Sequence, residues 1–238
     1  MADDPNHGTL RSRNSIDPVA NRSETDAFLA NIRKKRQSIA GTGRLIFALD
    51  ATASRRPTWE MACQLQAQMF EEVRTIGGLS VQLVYYRGLE ECRASEWISR
   101  PDHLSGLMEK IDCRMGHTQI EKVLAHAGKE TRLLKVSALT FVGDAVEENP
   151  DELAHEAGEL GRLGVPVFLF QEGHDREVER TFREIARLTH GAYSRFDPGA
   201  ARQLAELLKA VAVFATGGLT ALADQHNASA VKLLSQLR

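Results

Sequence analysis

Between residues 44 and 213, short uninterrupted apolar runs alternate with stretches whose apolar residues recur every three or four positions. That alternation is the tightest constraint on what this chain folds into. Leu45-Ile46-Phe47-Ala48-Leu49 is continuous and stops at Asp50, the pattern of a strand covered on both faces. Leu79–Tyr86, Val136–Val142, Val165–Phe170 and Ala192–Phe196 read as further strands, and Cys92–Ile98 as a short one after the second. Helices are expected between them. One follows Pro57, with Trp59, Ala62, Leu65, Met69, Val73 and Ile76 on one side; another spans Pro101–Ile111. Ile120, Val123, Leu124 and Ala127 mark the next, and Asn149 caps a helix with Pro150 in its first turn. Val178, Phe182, Ile185 and Leu188 define one more; Leu204, Leu207, Leu208 and Val211 define the last before Gly217-Gly218. Strands alternating with helices imply an α/β fold, a mostly parallel six-stranded sheet wound on both faces. Six strands in roughly 170 residues are too few for an eightfold barrel.

The flanks read differently. Residues 1–22 are polar with almost no apolar anchors and are expected to be a disordered tail. Residues 23–42 predict a short helix, capped at Ser23, and a linker; its Arg33-Lys34-Lys35-Arg36 cluster reads as cations at a helix C-terminus, with a nucleic-acid or acidic-partner patch as the alternative. Residues 216–238 predict a C-terminal amphipathic helix. The chain carries 30 basic and 32 acidic residues, so no overall field recruits nucleic acid or a membrane surface. Three cysteines, Cys63, Cys92 and Cys113, suit a reducing compartment better than a disulfide framework. Cys92 and Cys113 flank one predicted helix and leave open a redox pair or two separate thiols. With no apolar leader and no run approaching the ~20 apolar residues of a membrane span, the expectation is a cytoplasmic protein.

In an open α/β sheet, sites form beyond the carboxyl ends of the strands, where the strand order reverses. After the first strand stands Asp50-Ala51-Thr52-Ala53-Ser54, after the fourth Gly143-Asp144, and before the helix leading into that fourth strand Gly116-His117-Thr118. In a 3-2-1-4-5-6 order the first and fourth strands are neighbours, so two carboxylates and three hydroxyls face one crevice. Such oxygens are hard ligands suited to Mg²⁺ or Mn²⁺, and two adjacent carboxylates repel without a cation between them. Thr118 also stands where it would cap the helix that follows.

This arrangement resembles the metal-ion-dependent adhesion site of the von Willebrand factor A family. That site reads Asp-x-Ser-x-Ser, then a distant Thr after a Gly-rich turn, then a distant Asp after an apolar strand. Asp50, Thr52, Ser54, Thr118 and Asp144 occupy those positions in the family's order, and the resemblance spans residues 43–213 of a domain drawn at 43–215. Thr52 replaces the usual Ser and keeps its hydroxyl, whereas His117 and Ala145 stand where Gly is frequent. The resemblance implies a Rossmann-like fold and a non-enzymatic, cation-dependent protein-binding module. Thr52, Ser54 and at times Thr118 ligate the metal directly; Asp50 and Asp144 act largely through water. A Glu or Asp of a partner protein completes the sphere. By analogy with bacterial-type members, that partner belongs to an ATPase or chaperone assembly. Arg55, Arg56 and His117 border the loops and are candidates for attracting an acidic partner.

Two other readings compete. A strand ending in Asp also resembles the haloacid-dehalogenase phosphohydrolases, with Asp50 as nucleophile, although Thr52 stands where that family has an acid. The third reading is a structural α/β domain with a non-functional metal site. A nucleophile elbow, a P-loop and a dinucleotide fingerprint are all missing from the sequence.

Overall fold

The computed structural model describes residues 43–57, 59, 78–196 and 201–237. The chain divides into two units, Met1–Gly41 and Thr42–Arg238, and all described residues fall in the second. The expectations for the 1–22 tail, for the 23–42 helix and linker, and for most of the helix after Pro57, Cys63 included, lie outside the described residues.

Six strands form one sheet: β1 (Gly43–Asp50), β2 (Leu79–Arg87), β3 (Glu91–Ala94), β4 (Ala138–Gly143), β5 (Val167–Glu172) and β6 (Ala192–Phe196). Their order is β3-β2-β1-β4-β5-β6. All pairs are parallel except β2 with β3 at the edge. The helices are α1 (Pro101–Met108), α2 (Ile120–Leu133), α3 (Pro150–Arg162), α4 (Arg176–Leu188), α5 (Ala201–Ala223) and α6 (Ala228–Leu234). The predicted six-stranded, doubly wound α/β fold is the one observed.

Every residue of β1 is buried, because this central strand is covered on both sides. Successive strand side chains point to opposite faces. Leu45, Phe47 and Leu49 therefore join Leu204, Leu207, Leu208 and Val211 of α5 on one face. Ile46 and Ala48 join Val123, Leu124, Leu153, Leu160 and Phe182 on the other. Cys92 packs with the second group and Cys113 with the first, both as free thiols, so the sheet separates them and they form no redox pair. The caps follow local chemistry. Asn149 accepts from the Asp151 amide at 2.9 Å ahead of α3, as expected, and Asp175 accepts from Glu177 and Val178 ahead of α4.

Two expectations are corrected at the C-terminus. The break at Gly217-Gly218 exists, with Gly218 at φ +67°, but the helix resumes to Ala223 and a separate α6 follows, capped by Asn227. Leu222, Ala230 and Leu233 are fully buried in the α5-side core, so in place of the one amphipathic helix expected over 216–238 the described residues form the end of α5 and a separate α6 that close this core. Gln236 even acts as a strand surrogate on the β6 edge. It accepts from the Tyr193 amide at 2.9 Å and donates to its carbonyl at 3.0 Å. Arg202–Ala223, 22 residues with a mean hydropathy of 1.4 over its most apolar 18, is also long and apolar enough to cross a membrane, contrary to the expectation of no such run. Its apolar side here covers the sheet.

Gly191 marks where α4 returns to the sheet. A methyl group there would lie 1.9 Å from the Val167 carbonyl oxygen, which is β5 backbone and has no room to yield. Gly191→Ala is therefore expected to cost about 3 kcal/mol, the upper end of an overpacked site. Urea unfolding would show this as a lower midpoint with an unchanged slope; an unchanged midpoint would mean the close approach is absent.

Candidate metal centre

Asp50 ends β1 beside Tyr86 of β2, and the neighbouring residue Leu49 pairs with Val142 of β4. Gly143 lets β4 close in: a methyl there would sit 2.8 Å from the Phe141 ring and 3.6 Å from Cβ of Asp50. Asp50 is fully buried, and both its oxygens accept hydrogen bonds. The Thr52 amide donates to Oδ1 at 2.7 Å, folding the loop back as an Asx turn, and the Tyr86 hydroxyl donates to Oδ2 at 3.0 Å. Burial pushes the Asp50 carboxyl up to about 6; hydrogen bonds from Thr52 hold it down, and the charge of Asp144 raises it further. The buried Tyr86 hydroxyl is raised well above its ordinary value by desolvation and by Asp50.

The turn brings two hydroxyls together, with Thr52 Oγ1 and Ser54 Oγ 3.0 Å apart. Ser54 is exposed, so this pair opens to solvent. Asp144 follows β4 directly. Its Oδ1 is buried and has no hydrogen-bond partner among the described residues. A buried carboxylate oxygen left without a donor is an exception that calls for a cation or water. The donor set is all oxygen, as Mg²⁺ or Mn²⁺ requires. Among the described residues no three His, Cys, Asp or Glu side chains converge to hold a metal, so a cation here would draw on the hydroxyls as well. Asp50, Thr52, Ser54 and Asp144 thus fit a hard divalent cation.

Thr118 is placed less directly. Its hydroxyl donates to Glu148 and accepts from the Glu147 amide at 2.8 Å, while its own amide donates to the Glu147 carboxylate at 2.9 Å. These bonds tie Thr118 to the 144–149 loop that begins at Asp144, rather than to the Asp50 loop. Nor does Thr118 cap α2. Glu148 reaches across and accepts from the Ile120 and Glu121 amides, where a carboxylate meets the positive end of the helix. Nothing local in the sequence marks Glu147 or Glu148 as part of this site. Only Tyr86 had a signal, as the residue facing Asp50 across adjacent strand ends.

The flanking candidates separate. His117 is exposed, with Nδ1 3.1 Å from Glu147. Arg56 is exposed and donates to the Cys113 carbonyl at 3.2 Å. Arg55 corrects the expectation of a partner-attracting surface cation. It is 1 % exposed, the largest fully buried side chain described, and ion-paired to the buried Glu172 at the end of β5. Burial lowers its pKa, and the nearby carboxylates of Asp144 and Asp50 pull it back up. A guanidinium is tolerated in such a place because carboxylates surround it. It supplies positive charge to the interior side of the site.

Neither a family model nor a curated protein matches the sequence. Solved structures do. An aerotolerance-related membrane protein from Bacteroides fragilis is 18 % identical at a TM-score of 0.55, covering 70 % of this chain and 98 % of that one. The SpRpn10 VWA domain is 9 % identical at 0.57, covering 68 % and 95 %. Proximal thread matrix protein 1 from the mussel byssus, with a zinc-occupied MIDAS motif, is 15 % identical at 0.56, covering 72 % and 46 %. The chain has a von Willebrand factor A-like fold.

Proposed function

We propose that this chain is a divalent-cation-dependent protein-binding module and not an enzyme. The observation that carries the reading is the buried Asp144 Oδ1, without a hydrogen-bond partner among the described residues, whose charge acts on Asp50 at the start of the loop that pairs the Thr52 and Ser54 hydroxyls. Thr52 and Ser54 would hold Mg²⁺ or Mn²⁺ directly, with Asp50 and Asp144 acting through water and Thr118 bracing the Asp144 loop. When bound, the cation supplies an electrophilic position for a Glu or Asp carboxylate of a partner protein. The metal-occupied site in the mussel thread protein supports divalent binding by this fold. A cytoplasmic setting and a partner within an ATPase or chaperone assembly belong to the same proposal. Free thiols at Cys92 and Cys113 favour a reducing compartment.

The phosphohydrolase reading has less support. Asp50 is fully buried with both oxygens engaged, a poor state for a nucleophile. Titration calorimetry with MgCl₂ and MnCl₂ tests the proposal. Binding with weak to moderate affinity is expected for the wild type, with a loss of at least about tenfold for Thr52→Val, which removes a direct ligand, and for Asp144→Asn. Hydrolysis of p-nitrophenyl phosphate should stay at background in Mg²⁺. No heat at millimolar metal, or turnover abolished by Asp50→Asn, would overturn the reading.

A further inference from the structure

Two loops at the carboxyl end of the sheet are locked together beside the metal loop, and each displays one large apolar side chain. The β2–β3 turn displays Leu89, 71 % exposed; the loop before α2 displays Met115, 85 % exposed. The lock is extensive. Gly116 lies against Gly88 so closely that a methyl on it would be 1.9 Å from the Gly88 carbonyl oxygen. That oxygen accepts from the His117 amide at 3.1 Å and from the Gln119 amide group at 3.4 Å. Arg87 chelates Glu91 at 2.9 and 3.1 Å and donates to the Asp112 carbonyl at 3.1 Å. The same loop is joined to the candidate metal centre. Arg114, next to Met115, bridges to Thr52, and its amide donates to the Ala51 carbonyl at 3.1 Å.

Single exposed apolar residues are ordinary. Here two stand on a rigid double loop continuous with the metal loop, so docking onto them costs little ordering. We infer that Leu89 and Met115 form an apolar subsite of the binding face, and that the partner segment carries a bulky apolar side chain close to its metal-binding carboxylate. The inference rests on the proposed metal-dependent binding. Backbone spacing limits the separation. Strands pair about 4.8 Å apart and successive Cα atoms are about 3.8 Å apart, so Met115 lies roughly 9 Å from Thr52 along the backbone path. An extended segment rises about 3.3 Å per residue, which puts the apolar side chain within about three residues of the acid. Aromatic or long aliphatic residues suit the flexible Met115 thioether.

The probe is a random peptide library displayed on phage, selected on the immobilised full chain in parallel in MgCl₂ and in EDTA, and released with acid. Wild-type selections should enrich Asp or Glu with a bulky apolar residue within three positions. With Leu89→Ser/Met115→Ser the acidic preference should persist and the apolar one disappear. A synthetic peptide of the enriched sequence should bind this variant at least about tenfold more weakly. Both residues are exposed, so an unchanged circular dichroism spectrum and melt are expected and exclude misfolding. Acidic peptides enriched without an apolar neighbour, or an apolar preference that survives the double substitution, would overturn the subsite. Apolar enrichment that needs Leu89 and Met115 but ignores EDTA and Asp144→Asn would uphold the surface and overturn the metal-dependent reading. No enrichment would overturn both. Light scattering completes the test: dimerisation in MgCl₂ that the double variant abolishes would make a second copy the occupant and overturn the partner segment.

Discussion

Arg55→Met is expected to destabilise the protein by about 3–5 kcal/mol, the range for removing one partner of a buried ion pair. The guanidinium is enclosed, its partner Glu172 is itself only 7 % exposed, and Asp144 and Asp50 lie in its field. Methionine fills much of the volume but leaves these carboxylates without that cation. The loss is electrostatic rather than steric, so Arg55→Met/Glu172→Leu should regain most of it, as apolar replacement of a whole buried pair is often neutral or favourable. Guanidinium chloride would screen the very interaction at issue, so urea unfolding in EDTA is the suitable measurement. A single variant within about 1 kcal/mol of wild type would show that Arg55 is not an interior counter-ion. Mg²⁺ should partly rescue Arg55→Met, because a bound cation replaces positive charge at the same cluster.

The second large effect concerns Asp50. Asp50→Asn should abolish Mg²⁺ binding and, at pH 7 without metal, raise stability by on the order of 2–3 kcal/mol. The sign follows from linkage. Burial raises the folded carboxyl from 3.8 to about 6, so between those values the folded state binds the proton that the unfolded state has released. Stability of the metal-free wild type therefore falls as pH rises from about 4 to 6, by about 1.4 kcal/mol for each pH unit, and levels off above. Asparagine resembles the protonated form, so the gap between variant and wild type should close by pH 4. Asp50→Ala would gain less, because it leaves the buried Tyr86 hydroxyl without its acceptor. In Mg²⁺ the wild-type trend reverses: the cation favours the ionised carboxylate, and affinity should climb through pH 6. A pH-independent gap, measured by urea unfolding across pH 4–7.5, would count against a raised Asp50.

Partner-level effects scale differently. Loss of a metal ligand should act on binding and leave the fold intact, whereas Arg55→Met and Gly191→Ala act on the fold itself. Thermal melts beside calorimetry therefore separate the two kinds of variant.

Much of this architecture is written in local pattern. The apolar run Leu45–Leu49 and the alternation around it specify a central strand in a parallel sheet, because only a strand buried on both faces needs every residue apolar. Strand and helix ends shift by only a few residues, and Ala192–Phe196 coincides with the observed β6. Asp50, Thr52, Ser54 and Asp144 were legible because their chemistry sits at predictable strand ends. Hydroxyl spacing of two along a short loop is a local property as well. What tertiary structure alone decided is which neighbour each group meets. Arg55 reads as a surface charge from its sequence context, since arginine is rarely buried. Its burial depends on Glu172, 117 positions away, ending a strand on the same side of the site. Thr118 reads as a metal-site hydroxyl that could also cap the helix after it, but Glu148 from the loop after β4 takes the cap. The closure of the core by residues 216–238 likewise depends on α5 reaching the sheet and turning at Gly218. Periodicity and chain chemistry act over a few residues, and so the sequence determines elements and the oxygen groups at strand ends; ion pairs, trans caps and the packing of α5 and α6 onto the sheet arise between segments far apart in the chain, where only the assembled sheet sets the distance.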